Sequence, residues 1–118
     1  MSYDIYLKDS VDGKVLELDE KHQMKGGTYC VGGTKECHVN VTYNYSKHFC
    51  RVLGLDGIRS LYGKTGAECI PILKTAMSKL KDDTSDDYWE STEGNAKRSI
   101  SQLLALAQLR PDGVFDGD

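Results

Sequence analysis

Between Glu36 and Asn44 apolar and polar positions alternate strictly. Cys37, Val39, Val41 and Tyr43 share one parity, and His38, Asn40, Thr42 and Asn44 the other. A two-residue period of this kind predicts a strand with its Cys37 face in a core. Tyr3–Leu7 and Lys14–Leu18 alternate in the same way on either side of Asp12-Gly13, which predicts a hairpin. Thr28–Val31, between the Gly26-Gly27 and Gly32-Gly33 pairs, predicts a further short strand. The expected sheet thus has about four antiparallel strands, all in the first half of the chain.

After Tyr45 the period changes. Ser46 precedes a short helical segment that reaches Leu53 and stops at Gly54. Thr65-Gly66-Ala67-Glu68 has the capping-box spacing, in which a hydroxyl and a carboxylate satisfy each other's end of a helix. The helix behind it carries Ile70, Leu73, Met77 and Leu80 at three- and four-residue intervals, with Pro71 drawing the expected start toward Cys69. A last helix begins at Thr92, carries the stripe Ala96, Ile100, Leu103, Leu104 and Ala107, and ends at Arg110-Pro111. The predicted class is α+β: a strand-rich part over 3–45 packed against a helical part over 46–109, with a turn-rich tail over 110–118 that Phe115 pins. A chain of 118 residues with 39% hydrophobic content forms one core, hence a single domain over 1–118.

Composition narrows the function classes. No apolar run reaches the ~18–20 residues of a membrane span. The opening Met1-Ser2-Tyr3-Asp4 lacks the basic-then-apolar order of a secretion signal, so the expected location is the cytoplasm, with reduced cysteines. A net charge of −3 argues against direct nucleic-acid binding. That charge is unevenly spread. From Asp82 to Glu93 there are six acids (Asp82, Asp83, Asp86, Asp87, Glu90 and Glu93) and no Lys or Arg, with Tyr88 and Trp89 among them. Such a run is commonly a solvated loop; its sharper reading is a patch that docks on a basic partner.

Three constellations carry candidate chemistry. Cys30, Cys37, His38, His48 and Cys50 supply thiols and imidazoles for a structural zinc. Their spacing is not that of a standard finger, and strand parity sets Cys37 and His38 on opposite faces. Small buried hydrophobes are the simpler reading of the cysteines. Asn95, Lys97 and Arg98 stand in the first turns of the last helix, an end that attracts anions. With Tyr43 and Tyr45 they compose a candidate small-molecule site. Gly94 in that first turn lowers helix propensity and predicts a close packing neighbour. Gly63-Lys64-Thr65 lacks the Gly-x4-Gly-Lys spacing of a phosphate loop, and no nucleophile, base and orienter assemble from spacing alone.

Several strings, taken together, carry a resemblance that spans nearly the whole chain. They are Ser2-Tyr3-Asp4-Ile5-Tyr6-Leu7-Lys8-Asp9, Gly26-Gly27-Thr28-Tyr29, Val41-Thr42-Tyr43-Asn44-Tyr45-Ser46, Tyr88-Trp89 with Thr92 and Gly94-Asn95-Ala96, and Arg110-Pro111-Asp112-Gly113-Val114. In these the chain resembles small proteins of phages and prophages of Gram-positive bacteria. The resemblance brings no catalytic residue. It implies a non-enzymatic protein in the host bacterial cytoplasm. The expected activity is inhibition of a host defence protein such as a Cas nuclease, in the anti-CRISPR manner, with Asp82, Asp83, Asp86, Asp87, Tyr88, Trp89 and Glu90 as the partner-binding residues. The alternative expectation is a binder that sequesters a nucleotide immune signal at Tyr43, Tyr45, Asn95, Lys97 and Arg98. Neither reading requires a cofactor, and zinc enters only through the cysteine–histidine set.

Overall fold

A computed structural model describes residues 1–23 and 32–118. The expected strand Thr28–Val31, with Tyr29 and Cys30, falls outside them. The elements are β1 (Ser2–Lys8), β2 (Glu17–His22), β3 (Thr34–Glu36), β4 (His38–Thr42), α1 (Ser46–Leu53), α2 (Gly66–Ser78), α3 (Glu93–Leu109) and β5 (Val114–Gly117). Short 3-10 turns at Tyr43–Tyr45 and Gly57–Leu61 flank α1. The α+β class is as the sequence predicts: antiparallel strands with two main helices toward the C-terminus.

The strands divide into two sheets, in place of one of four. β1 is the centre of an antiparallel sheet ordered β4-β1-β5, while β2 and β3 form a separate pair. Alternation along β1 directs Tyr3, Ile5 and Leu7 inward, opposite Val41, Val39 and Phe115 respectively. The Asp12-Gly13 turn forms, with the Asp9 carboxylate accepting from the amides of Val11 and Asp12. The hairpin it opens extends only to the Lys8–Val15 bridge and the Leu16-to-Leu7 hydrogen bond. Both edges of β1 are then occupied by β4 and β5, so the chain leaves to pair with β3. The two sheets stay joined at Cys37, whose amide donates to Leu16 and whose carbonyl accepts from Leu7.

The tail turns over 111–113 and then runs as the strand β5. Phe115 is fully buried, and β5 bonds to β1 on one side and to the 63–65 segment on the other. Gly117 permits this closeness: a Cβ there would stand 2.6 Å from the Tyr62 hydroxyl. Four residues are too few to display a period, which is why the pattern missed them.

Both predicted caps are present. Thr65 and Glu68 complete the capping box of α2, at 3.1 Å and 3.0 Å. The helix therefore starts at Gly66, ahead of the expected Cys69, and carries Pro71 inside. Its buried stripe is Cys69, Leu73 and Ala76, with Ile70 and Met77 only partly covered, and Leu80 is buried just beyond the helix end. Thr92 caps α3 by accepting from the Asn95 amide at 3.0 Å. Ala96, Ile100, Leu103, Leu106 and Ala107 are its buried face, and Leu104 lies at the margin. These side chains close on Val39, Val41, Tyr45 and Phe49 to form one core. No described helix is long and apolar enough to cross a membrane.

Candidate functional site

Five acids of the run lie in the 79–92 link between α2 and α3, and the sixth, Glu93, opens α3 and pairs with Arg51 at 2.6 Å. The link is defined by two groups of side chains that share Asp83, Asp87 and Glu90. One group holds the link in place. Asn95 is 1% exposed, and every polar atom of its amide is engaged with the link or its neighbour. Its Nδ2 donates to the carbonyls of Asp87 (3.0 Å) and Glu90 (2.9 Å), and its Oδ1 accepts from the Ser85 amide (3.0 Å) and Arg98 (3.3 Å). Asp83 accepts from the Gly94 amide at 3.0 Å, an N-terminal anion where the helix dipole favours one. Asp87 accepts from the Trp89 amide, and Glu90 from the Ser85 hydroxyl at 2.6 Å. Gly94 is glycine because a Cβ would come within 2.6 Å of the Asp83 carbonyl carbon. The close neighbour that its position predicts is therefore the link's own backbone.

The end of β4 and the turn after it clamp the link from the other side. The Thr42 amide donates to the Tyr88 hydroxyl at 2.9 Å, which caps an edge group of the sheet. Asn44 donates to the Trp89 carbonyl at 2.9 Å, the Tyr45 hydroxyl donates to the Tyr88 carbonyl, and His48 donates to the Ser91 carbonyl at 3.2 Å. Aromatic rings follow the same route outward. Phe49 meets Tyr45 (6.2 Å between centroids), Tyr45 meets Tyr88 (5.6 Å) and Tyr88 meets Trp89 (4.9 Å), each edge to face. The chain of rings runs from full burial at Phe49 to 52% exposure at Trp89.

The second group is what the link presents. Asp82, Asp83, Asp86, Asp87 and Glu90 are all exposed, and Trp89 stands among them. Lys97 reaches Asp82 at 2.7 Å, but that carboxylate is 89% exposed, so the pair is a screened surface contact. The result is an acidic projection with one indole, its backbone fixed at both margins. Tyr88, expected as a partner anchor, is instead half-buried and anchors the link to the fold.

The small-molecule set is otherwise committed. Tyr45 is fully buried, and burial pushes its hydroxyl up to about 12. Tyr43 packs on Tyr3 and accepts from Arg59. Asn95, Arg98 and Lys97 bond to the link or to one another. The amides that the N-terminus of α3 offers at Gly94 and Asn95 are taken by Asp83 and Thr92.

The cysteine–histidine set is dispersed. Cys37 is in the core, and burial raises its thiol to about 11. His38, on the opposite face as parity requires, donates to Asp4 at 3.1 Å and stacks on Tyr6 at 4.5 Å. His48 holds the link, and Cys50 contacts the Leu55 carbonyl at 3.6 Å. Cys30 lies outside the described residues. Among the described residues no three His, Cys, Asp or Glu side chains converge as a metal would need.

Sequence reasoning missed Thr42, Asn44, Tyr45 and His48 as the clamp. Alternation sets Thr42 and Asn44 on the polar face of a strand, and Tyr45 and His48 read as candidate ligands, so nothing signals what crosses them. No family model, curated protein or solved structure matches the chain significantly.

Proposed function

We propose that the protein is a phage- or prophage-type inhibitor that works by binding rather than by catalysis. Its target is a bacterial defence protein in the host cytoplasm, of the Cas nuclease kind, and the 79–92 link is its docking element. The observation that carries this reading is the ordered display of five exposed carboxylates around the half-exposed Trp89. Carboxylates on a rim steer approach to a basic groove and reject acidic surfaces. An exposed indole provides the kind of anchor that dominates interface energies. Fixing the link beforehand removes ordering cost from the binding step. An electropositive nucleic-acid channel has the complementary chemistry, since it is built to receive negative charge.

The test is plating of a targeted phage on a host with active CRISPR–Cas, with and without this protein. Because Asp83 and Asp87 each accept a backbone hydrogen bond through one oxygen, charge reversal would confound folding with binding. The combined Asp83→Asn, Asp86→Asn and Asp87→Asn variant keeps those acceptors and removes the charge. Wild-type protein is expected to restore plating and the neutral variant to lose most of that effect. Equal protection by both would sink the docking mechanism, and no protection by either would sink the target class.

A further inference from the structure

A groove of about 340 Å³ lies between α2 and α3. Lys74, Met77 and Ser78 of α2 form one wall, and Lys97 and Leu104 of α3 form the other. We propose that this groove is a second docking surface, and that its occupant is an acidic amphipathic helix of a partner protein. The proposal is independent of the docking role given to the 79–92 link.

The apolar floor comes from side chains outside the buried stripes. Cys69, Leu73 and Ala76 of α2 and Ile100, Leu103 and Leu106 of α3 are fully buried, whereas Met77 and Leu104 are only partly covered. Lys74 and Met77 are three residues apart and Lys97 and Leu104 seven, so each wall is one side of a helix. The longer wall rises about 10 Å. That length seats two turns of a third helix, whose apolar anchors recur at three- and four-residue spacing. The flexible thioether of Met77 suits such a contact, since it adapts to the shape of what it meets.

Charge selects the occupant. Residues 69–81 carry Lys74, Lys79 and Lys81 and no acid, and residues 94–110 carry Lys97, Arg98 and Arg110 and no acid, in a chain of net charge −3. Lys74 is exposed, and its ammonium bonds to none of the described residues. Lys97 reaches Asp82 at 2.7 Å, but that carboxylate is 89% exposed and holds the cation only weakly. The two lysines thus stand on opposite walls of an apolar floor, with Lys74 uncompensated. A basic helix is repelled there, and one with carboxylates beside its apolar stripe is admitted.

The probe is a fluorescein-labelled peptide, stapled as a helix, with leucines at three- and four-residue spacing and glutamates flanking that stripe. Anisotropy titrations of the full chain would compare it with a peptide of the same residues in scrambled order and with its lysine counterpart. Scrambling keeps the charge but removes the stripe, and is expected to weaken binding at least on the order of tenfold. Lys74→Glu is expected to weaken the glutamate peptide on the order of tenfold, and Lys74→Gln by less, with far-UV circular dichroism unchanged in both. The lysine peptide is expected not to bind, Asp86→Asn to leave the titration unchanged, and phosphatidylserine vesicles not to sediment the chain. Equal binding of the scrambled peptide, natively folded Lys74→Glu and Lys74→Gln variants that bind as wild type, or no binding of the glutamate peptide up to about 1 mM, a weak-limit affinity, would each overturn the proposal. So would sedimentation with the vesicles in place of peptide binding, which would give the face to a lipid surface.

Discussion

Replacing Asn95 by Ala removes the side chain on which the link's position depends. It deletes four hydrogen bonds, two given to the Asp87 and Glu90 carbonyls and two received from Ser85 and Arg98. A net hydrogen bond is worth roughly 0.5–1.5 kcal/mol, and a stranded buried group costs more. The Arg98 contact is the longest, at 3.3 Å, and counts for little. Once the amide is gone, water reaches the two carbonyls, which lie on a surface segment. The expected loss is therefore about 2–3 kcal/mol, below the sum of the individual bonds. For a chain of this size that lowers Tm by roughly 8–12 °C. Urea unfolding followed by far-UV circular dichroism should show a lower midpoint with an unchanged slope, and the Ser85 amide should lose protection from hydrogen exchange. Asn44→Ala, which removes one exposed bond to Trp89, is the control and should cost less than about 1 kcal/mol. An Asn95→Ala loss under about 0.5 kcal/mol, the range of an ordinary surface substitution, would refute the account of how the link is held.

Other outcomes follow from the same structure. Gly94→Ala raises helix propensity by about 1 kcal/mol but drives a Cβ into the Asp83–Thr84 backbone. The net effect should be destabilising, and a higher Tm would contradict it. Cys50 is exposed, whereas Cys37 and Cys69 are buried with thiols pushed up to about 11 by burial. A disulfide reagent should therefore modify Cys50 in the native protein, and Cys37 and Cys69 only on unfolding, as mapped residue by residue by mass spectrometry. The Glu68 carboxyl is held below its ordinary 4.5, first by the Thr65 backbone amide. A depressed carboxylate stabilises the fold above its unfolded value, and that stabilisation is lost as the pH falls through the folded one. Glu68→Gln should thus lower Tm at neutral pH, and the gap to wild type should narrow as the pH drops below 4.5; a gap that widens in acid would contradict the sign.

How much of this was legible in the sequence depends on how far each interaction reaches along the chain. Thr65 and Thr92 cap helices three residues away, and both were readable because the partners lie within one turn. Parity sorted Cys37, Val39 and Val41 from His38 because a strand's faces are fixed locally. The edge partners of β1 were not readable: β5 pairs with it across more than a hundred residues, and alternation cannot say which strand wins an edge. Inside the candidate site, Gly94 hinted at a close neighbour, and the acidic composition marked the link. The roles of Tyr88 and Asn95 were hidden, since a tyrosine in an acidic run and an asparagine in a first turn read equally well as ligands to something external. Thr42, Asn44 and His48 meet the link over more than forty residues, and nothing near them in sequence announces it.

Trp89→Ala bears most directly on the claim that the link is a docking element fixed in advance. The indole is half-exposed and its ring nitrogen bonds to none of the described residues, while the main chain at that position is held by Asn44 and Asp87. Truncation should leave the urea midpoint close to wild type. In the same cells it should reduce protection of the targeted phage in line with an interface anchor, about 2 kcal/mol or roughly thirtyfold in affinity. Full protection by a stably folded Trp89→Ala protein would contradict the claim.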